Sequence, residues 1–123
     1  MIVGLGLDLV SVRKMAASLK RASFKIKVFT AAEIAGCDAR KNAAECYAGK
    51  FAAKEAFMKA VGKGLDAGLW FRQIEVLSGP GGEPSIAVSG EAELALRSLE
   101  PVRVHVSITH TAGFAASVVV LEK

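Results

Sequence analysis

Residues 42–61 read NAAECYAGKFAAKEAFMKAV, and this stretch decides the fold. Its alanines, glutamates, lysines and methionine favour a helix, and Gly62 stands where a glycine commonly ends one. Side chains three and four positions apart share a helix face. One such stripe consists of Ala44, Ala48, Phe51, Glu55 and Met58, and a second of Ala53, Phe57 and Ala60. A helix with two apolar faces is predicted to be largely buried.

Glu55 is the unusual member of the first stripe, because a buried carboxylate is costly unless it is paired or binds a metal. Lys59 follows at i+4 and is within reach of Glu55 or of a ligand of Glu55. Asp8 is a second carboxylate in an apolar segment, the strand of residues 2–10. Gly4 and Gly6 share its face, so a backbone or a ligand can approach closely. Two such carboxylates predict a shared site for a hard cation such as Mg²⁺. The simpler alternatives are a Glu55–Lys59 surface pair and a capping role for Asp8.

The remaining elements predict a single α+β domain spanning residues 1–123. Helices are expected after Ser11, to about Lys20, after Thr30, where Glu33 completes a capping box, and after Ser89, to about Leu99. Alternating patterns predict strands at 72–77, 84–88, 102–109 and 114–121. Helices interspersed with antiparallel hairpins indicate α+β rather than a parallel βαβ sheet.

Composition limits the functional class. Hydrophobic residues make up 52% of the chain, which is high for a small domain and favours a surface covered by another subunit. No apolar run is long enough for a membrane span, and the start of the chain lacks the basic region of a signal peptide. A cytoplasmic location is therefore expected. Cys37 and Cys46 do not have metal-site spacing, and we expect both to be reduced, with a disulfide or a catalytic thiol as the alternatives.

Charge is concentrated near the amino terminus. Residues 9–32 contain six basic side chains and no acidic one, so this segment is +6 in a chain of net charge +4. The basic residues are Arg13, Lys14, Lys20, Arg21, Lys25 and Lys27. Such a patch predicts an anionic partner, which at this level is a phosphate compound, a nucleic acid, an anionic lipid or an acidic protein.

Other motifs are weaker. The pair Gly4 and Gly6 lacks the third glycine of a dinucleotide fingerprint, and Gly62-Lys63-Gly64 is not a Walker loop. Both remain candidates for close backbone approach to phosphate. His105 and His110 are candidate bases or phosphate ligands, although such histidines are more often structural.

Together these motifs resemble a known family. The segments are Gly6-Leu7-Asp8-Leu9-Val10, Phe29-Thr30-x-x-Glu33, Phe51-Ala-Ala-Lys54-Glu55-Ala56-x-x-Lys59-Ala60-x-Gly62-x-Gly64, Gly82-Glu83-Pro84 and His105-Val-Ser-Ile-Thr-His110. In this order and spacing the chain resembles the small bacterial holo-[acyl-carrier-protein] synthases, group I of the 4′-phosphopantetheinyl transferases. The resemblance spans nearly the whole chain and implies that family's fold, a small, mostly antiparallel sheet packed on a long central helix.

The resemblance also implies an activity. Coenzyme A would donate its 4′-phosphopantetheine arm to a serine of apo acyl carrier protein, releasing adenosine 3′,5′-bisphosphate, in support of fatty acid biosynthesis. Mg²⁺ would be bound by Asp8 and Glu55. Glu55 would also accept the serine proton, directly or through a metal-held water, and Lys59 would offset charge on the departing phosphate. The residues implied to bind coenzyme A are Lys54, Gly62, Gly64, Pro84, His105, Ser107 and His110.

The implied partners are coenzyme A and an acidic acyl carrier protein, which Arg13, Lys14 and Arg21 would dock, with neither nucleic acid nor membrane involved. The resemblance further implies a homotrimer with sites between subunits. The chain departs from the family at Lys50, where relatives often have arginine, a residue whose bidentate contacts lysine cannot make. It also departs at Thr111, where some relatives have an acidic residue, which leaves Glu55 or solvent as the base.

Two other functions compete with this interpretation. A small RNA- or DNA-binding module would explain the basic segment but not Asp8 and Glu55, and aromatic residues for base stacking are only 7% of the chain. A different Mg²⁺-dependent phosphoryl or nucleotidyl transferase would use the same carboxylate pair. The product mass distinguishes the two enzymes, and Asp8→Ala distinguishes an enzyme from a binding module.

Overall fold

The structure, a computed structural model, describes residues 1–123. Its strands are β1 (Ile2–Ser11), β2 (Ile74–Ser78), β3 (Pro84–Val88), β4 (Arg103–Thr111) and β5 (Phe114–Glu122). Its helices are α1 (Val12–Leu19), α2 (Ala22–Val28), α3 (Ala31–Asp38), α4 (Ala43–Val61) and α5 (Gly90–Arg97). None of the helices combines the length and the hydrophobicity that a membrane span requires.

An antiparallel sheet of three strands, in the order β1-β5-β4, packs one face on α4, and β2 and β3 form a separate hairpin. Eleven of the nineteen residues of α4 are buried. The expected α+β fold with a long central helix is therefore confirmed. The sheet buries alternate residues of β5, among them Val119 and Leu121, as a half-buried strand requires.

The glycines of β1 face the central helix. A Cβ at Gly6 would overlap the carbonyl oxygen of Ala56, and one at Gly4 would overlap that of Ala60. The strand and the helix therefore approach backbone to backbone, which only glycine permits here. This close approach sets how near Asp8, two residues beyond Gly6, lies to the helix.

Several boundaries differ from those expected. The helix α2 was not anticipated, and the expected strand at 72–77 begins only at Ile74, after a 3₁₀ turn at Phe71–Gln73. The turn that joins β4 to β5 is tighter than expected. It consists of Ala112 and Gly113, both at positive φ, and this leaves His110 within β4.

The expectation that both cysteines are reduced is wrong, because Cys37 and Cys46 form a disulfide. The short turn between α3 and α4 folds one helix end beside the other. It brings the two Cα atoms to 5.5 Å, within the range that a disulfide bridges. Sequence spacing alone carried no signal of this approach.

Candidate active site

The site begins where β1 passes α4. Asp8 projects from β1 and Glu55 from the fourth turn of α4. Both line a groove of about 460 Å³ whose other walls include Lys14 of α1 and the rings of Phe24, Phe51 and Phe114. The two carboxylates predicted from sequence to share a site are therefore brought into one groove.

Lys59 contacts Asp8 rather than Glu55. Its ammonium donates to the backbone oxygen of Leu7 at 2.9 Å and to Asp8 Oδ1 at 3.2 Å. Asp8 is mostly buried, with 15% of its side chain exposed, whereas 54% of the Lys59 side chain is exposed. The chain therefore does not form the Glu55–Lys59 surface pair that was the simpler alternative.

The Glu55 carboxylate has no hydrogen-bond or ion-pair partner in the protein and is half-buried. Burial raises the pKa of the Glu55 carboxyl, the negative charge of Asp8 raises it further, and Lys59 acts in the opposite direction. A half-buried carboxylate without a partner, beside a second carboxylate, is an arrangement that a divalent cation would stabilise.

A second groove, of about 340 Å³, continues from Glu55 past Lys59 to the loop after α4. Gly62 ends the helix at φ 74°, a conformation that favours glycine. Lys63 and Gly64 complete this wall. Glu55, Lys59, Gly62 and Gly64, all predicted site residues, therefore lie together.

Pro84 and His110 lie elsewhere, in a cavity of about 520 Å³ that shares no lining residue with the two grooves. His110 Nδ1 is 3.3 Å from Glu45 Oε1. The basic lining residues of this cavity are Arg40, Lys41 and Lys50. Arg40, Lys41 and Glu45 also line this cavity and are not among the site residues predicted from the sequence, where the basic pair just before the central helix is their only signal.

His105 and Ser107 are separated from both places. They project from the face of β4 that points away from α4, paired across the sheet with Val120 and Val118. His105 Nε2 lies 2.9 Å from Glu122 Oε1. The single chain therefore does not bring His105 and Ser107 together with His110.

The assignment of Lys54 to coenzyme A binding is not supported. Its side chain is fully buried, and its ammonium bonds Glu33, Phe71 and Ile74. Since lysine has three donors and all three are used, no donor remains for a ligand. Adjacent positions on α4 point in different directions, and Lys54 points into the core.

The expected docking residues Arg13, Lys14 and Arg21 are all exposed, on α1 and at the start of α2. Lys14 also lines the groove that contains Asp8 and Glu55. The basic segment therefore extends to the edge of the candidate site. Lys25, by contrast, is neutralised by an ion pair with Asp38 at 2.9 Å.

Comparisons with known proteins agree with this geometry. A family model described as the 4′-phosphopantetheinyl transferase superfamily matches residues 4–119. A holo-[acyl-carrier-protein] synthase of Methylobacterium radiotolerans is 44% identical, over 99% of this chain and 94% of the relative.

Solved structures are similar as well. The holo-[acyl-carrier-protein] synthase of Neisseria meningitidis superposes with a TM-score of 0.86 and 30% identity over 100% of both chains. The Helicobacter pylori synthase, solved in complex with coenzyme A, gives a TM-score of 0.82 and 31% identity, over 96% of this chain and 99% of that one. The family model and the relatives cover nearly the whole chain, and the chain belongs to the 4′-phosphopantetheinyl transferase superfamily.

Proposed function

We propose that this protein transfers 4′-phosphopantetheine from coenzyme A to a serine of apo acyl carrier protein, in a Mg²⁺-dependent reaction that supports fatty acid biosynthesis. The observation that carries the proposal is the pairing of Asp8 with the unpartnered Glu55 in one groove. Relatives named holo-[acyl-carrier-protein] synthase and neighbours solved with coenzyme A support the choice of substrates.

In this reaction the serine oxygen attacks the β-phosphorus of the coenzyme A pyrophosphate. A new P–O bond forms to the serine, and the phosphoanhydride bond breaks. The pantetheine phosphate stays on the carrier protein, and adenosine 3′,5′-bisphosphate leaves with the electron pair of the broken bond. The serine proton passes to a base, so atoms and charge balance.

The donor set at the site fits Mg²⁺. This ion takes one or two protein carboxylates together with water and phosphate oxygens, and Asp8 and Glu55 supply two carboxylates. When bound, Mg²⁺ would neutralise the pyrophosphate charge and orient it for attack. Even without the metal, the Lys59 ammonium places one positive charge beside Asp8.

Glu55 is our candidate for the base. Its carboxylate lies beside Asp8 in the groove and has no hydrogen-bond partner in the protein, so it is free to accept the serine proton directly or through a metal-held water. Lys59 is largely exposed and reaches the same groove, where its ammonium would stabilise charge on the leaving phosphate. Gly62 and Gly64 leave the adjacent backbone accessible to phosphate oxygens.

The cavity around His110 is our candidate for the nucleotide. Its basic lining suits the phosphates of the adenosine bisphosphate, and Pro84 supplies an apolar wall. Because this cavity is separate from Asp8 and Glu55 in one chain, we propose that a coenzyme A molecule spans two subunits.

The open face of the sheet supplies a surface for such assembly. Leu5, Leu7 and Leu9 of β1 are 63–65% exposed and lie beside Val120, Val118 and Ala116 of β5. An apolar surface of this kind marks an interaction site, and His105 and Ser107 lie at its border. We propose that it forms a homotrimer in which neighbouring subunits complete each site.

Intact mass spectrometry of apo acyl carrier protein tests the proposal. The carrier protein is incubated with coenzyme A, Mg²⁺ and this protein, with EDTA and Asp8→Ala as controls. We expect the phosphopantetheine mass increment only in the complete reaction. No increment with any of several carrier proteins would reject the transfer, and an increment that persists in EDTA would reject the metal requirement.

A further inference from the structure

The buried ion pair between Lys54 and Glu33 joins four parts of the chain. Lys54 Nζ lies 2.8 Å from Glu33 Oε1, 2.9 Å from the backbone oxygen of Phe71 and 2.7 Å from that of Ile74. Glu33 also accepts from the amides of Thr30 and Val76, each at 2.8 Å. The pair therefore connects the start of α3, the middle of α4, the 3₁₀ turn and β2.

A buried ion pair contributes little net stability to a fold. Both side chains are completely buried, and the cost of removing two charges from water often exceeds the gain from their attraction. Burial lowers the pKa of the Lys54 ammonium, and the Glu33 carboxylate opposes that shift. A pair of apolar side chains would fill the same space at less cost, so the pair invites an explanation other than stability.

The composition of α4 suggests why the chain contains the buried Lys54–Glu33 pair. Seven of its nineteen residues are alanine, and the helix is buried on most of its circumference. Larger buried side chains such as Tyr47 and Phe57 are also present, but on the alanine-lined faces small, similar side chains specify poorly how far the helix is rotated about its own axis. Hydrogen bonds are directional, so a rotation of α4 would lengthen or misalign the bonds from Lys54 to its three acceptors.

We propose that Lys54 and Glu33 are positioning residues, which set the rotation of α4 so that Glu55 faces Asp8. Glu55 follows Lys54 directly, about 100° further around the helix. No hydrogen bond or ion pair within the protein orients its carboxylate, so the rotation of the helix sets the direction in which the side chain leaves the backbone. Gly6 sets the distance between β1 and α4, and the ion pair sets the angle.

This inference rests on the proposed metal site, and its test measures metal binding rather than turnover. The principal variant, Glu33→Gln/Lys54→Met, replaces the pair with neutral side chains of similar size. Mn²⁺ is the probe, and its binding is followed by electron paramagnetic resonance with and without coenzyme A. We expect the Mn²⁺ Kd to rise about 10- to 100-fold, as when other outer residues that orient metal ligands are lost.

Leu96→Ala is the matched control for stability. Leu96 packs against the core from α5, and α5 lines none of the three cavities described above. We expect its loss to lower the Tm and leave the Mn²⁺ Kd within twofold of the parent. Glu33→Gln alone keeps an acceptor for Lys54, and we expect an intermediate, at least threefold, rise in Kd.

Unchanged Mn²⁺ affinity in the folded double variant would overturn the inference, as would a rise in Kd for Leu96→Ala that equals that of the pair. If the double variant does not fold, Glu33→Gln decides, and a Kd within twofold of the parent would again overturn it. A parent protein that binds no Mn²⁺ would reject the proposed metal site and this inference together. A parent that binds Mn²⁺ but transfers nothing would reject only the proposed reaction.

Discussion

At the scale of single residues, Glu55 shows how a site is maintained at a cost to stability. A half-buried carboxylate with no partner is less stable in the folded chain than in water. The raised pKa of Glu55 expresses the same cost, since burial and Asp8 both disfavour its charged form. Lys54, one residue earlier, differs from Glu55 because all three donors of its ammonium have acceptors within the protein.

Glu55→Gln is predicted to stabilise the protein and abolish transfer. The pKa of Glu55 is higher in the folded chain than in the unfolded chain. Its ionisation therefore lowers the free energy of unfolding as the pH rises through these two pKa values, and it has no effect on that free energy at a pH below both. Thermal melts should therefore show a higher Tm for the variant at pH 7 and equal Tm values well below pH 4. The rate of transfer should fall at least about 100-fold.

Glu91→Gln, on the exposed start of α5, is the control and should change neither quantity. A Tm of Glu55→Gln below that of the parent at pH 7 would show that Glu55 has a stabilising partner. Added Mg²⁺ should raise the Tm of the parent and leave that of Glu55→Gln nearly unchanged.

At the scale of elements, the contact of β1 with α4 determines where the two carboxylates meet. The backbones are close enough that a methyl group at Gly6 would overlap the Ala56 carbonyl oxygen. Residues on α1 then continue the site outward, because Ser11 caps that helix by accepting from the Lys14 amide at 3.2 Å. The carboxylates and the basic helix are thus consecutive parts of one strand–helix unit.

Gly6→Ala is predicted to lower the free energy of unfolding by about 1–3 kcal/mol, the usual cost of overpacking. It should also weaken metal binding, since β1 must move away from α4. Urea denaturation measures the first effect. Gly36→Ala is the control: a Cβ at this position in α3 meets no atom within 4 Å, so the variant should gain about 0.5–1 kcal/mol. Equal stabilities for the two variants would contradict the close approach.

Arg13→Glu/Arg21→Glu is predicted to raise the KM for acyl carrier protein about tenfold or more at low salt and leave kcat nearly unchanged. Exposed charges on a docking surface act mainly on encounter, and their effect is screened by salt. Kinetics at several salt concentrations measure it. Lys123→Glu, at the exposed end of the chain, is the control, and a KM that did not respond to the double charge reversal would exclude this face as the docking surface.

At the scale of the whole molecule, the sheet has one face on the core and one face uncovered. The uncovered face carries Leu5, Leu7 and Leu9 in a row, with Val118 and Val120 beside them. Each leucine that becomes buried contributes about 1.5–3 kcal/mol, so a surface of this composition favours association.

If the proposed trimer forms through this face, Leu7→Glu is predicted to leave a monomer of 12.9 kDa and to reduce transfer strongly. Light scattering coupled to size-exclusion chromatography measures the mass, and circular dichroism checks that the variant is folded. Leu94→Glu, which alters a similarly exposed leucine on α5, should leave the oligomeric state of the parent unchanged. A monomeric parent protein with full activity would contradict the proposed assembly.

Local patterns are enough to predict the long buried helix, the glycine-flanked strand and the paired carboxylates. The periods of 3.6 and 2 appear directly in residues 42–61 and 2–10, and an isolated charge among apolar residues is visible in any sequence. The boundaries of helices and strands are harder to predict where helical and strand-like patterns overlap. The segment of α2 alternates Phe24, Ile26 and Val28, a strand-like pattern, yet it folds as a helix whose Val28 is buried.

The fold class, the family and the residues that meet beside Glu55 can be predicted from the amino-acid order alone, because each depends on patterns within one segment or on the order of motifs. The pairing of Lys54 with Glu33, the contact of Lys59 with Asp8 and the bond of Cys37 to Cys46 are visible only in the folded chain. The separation of His105 from His110 is visible only there as well. These facts depend on how separate elements pack, and charge and spacing along the chain do not specify which partner a side chain meets across that packing.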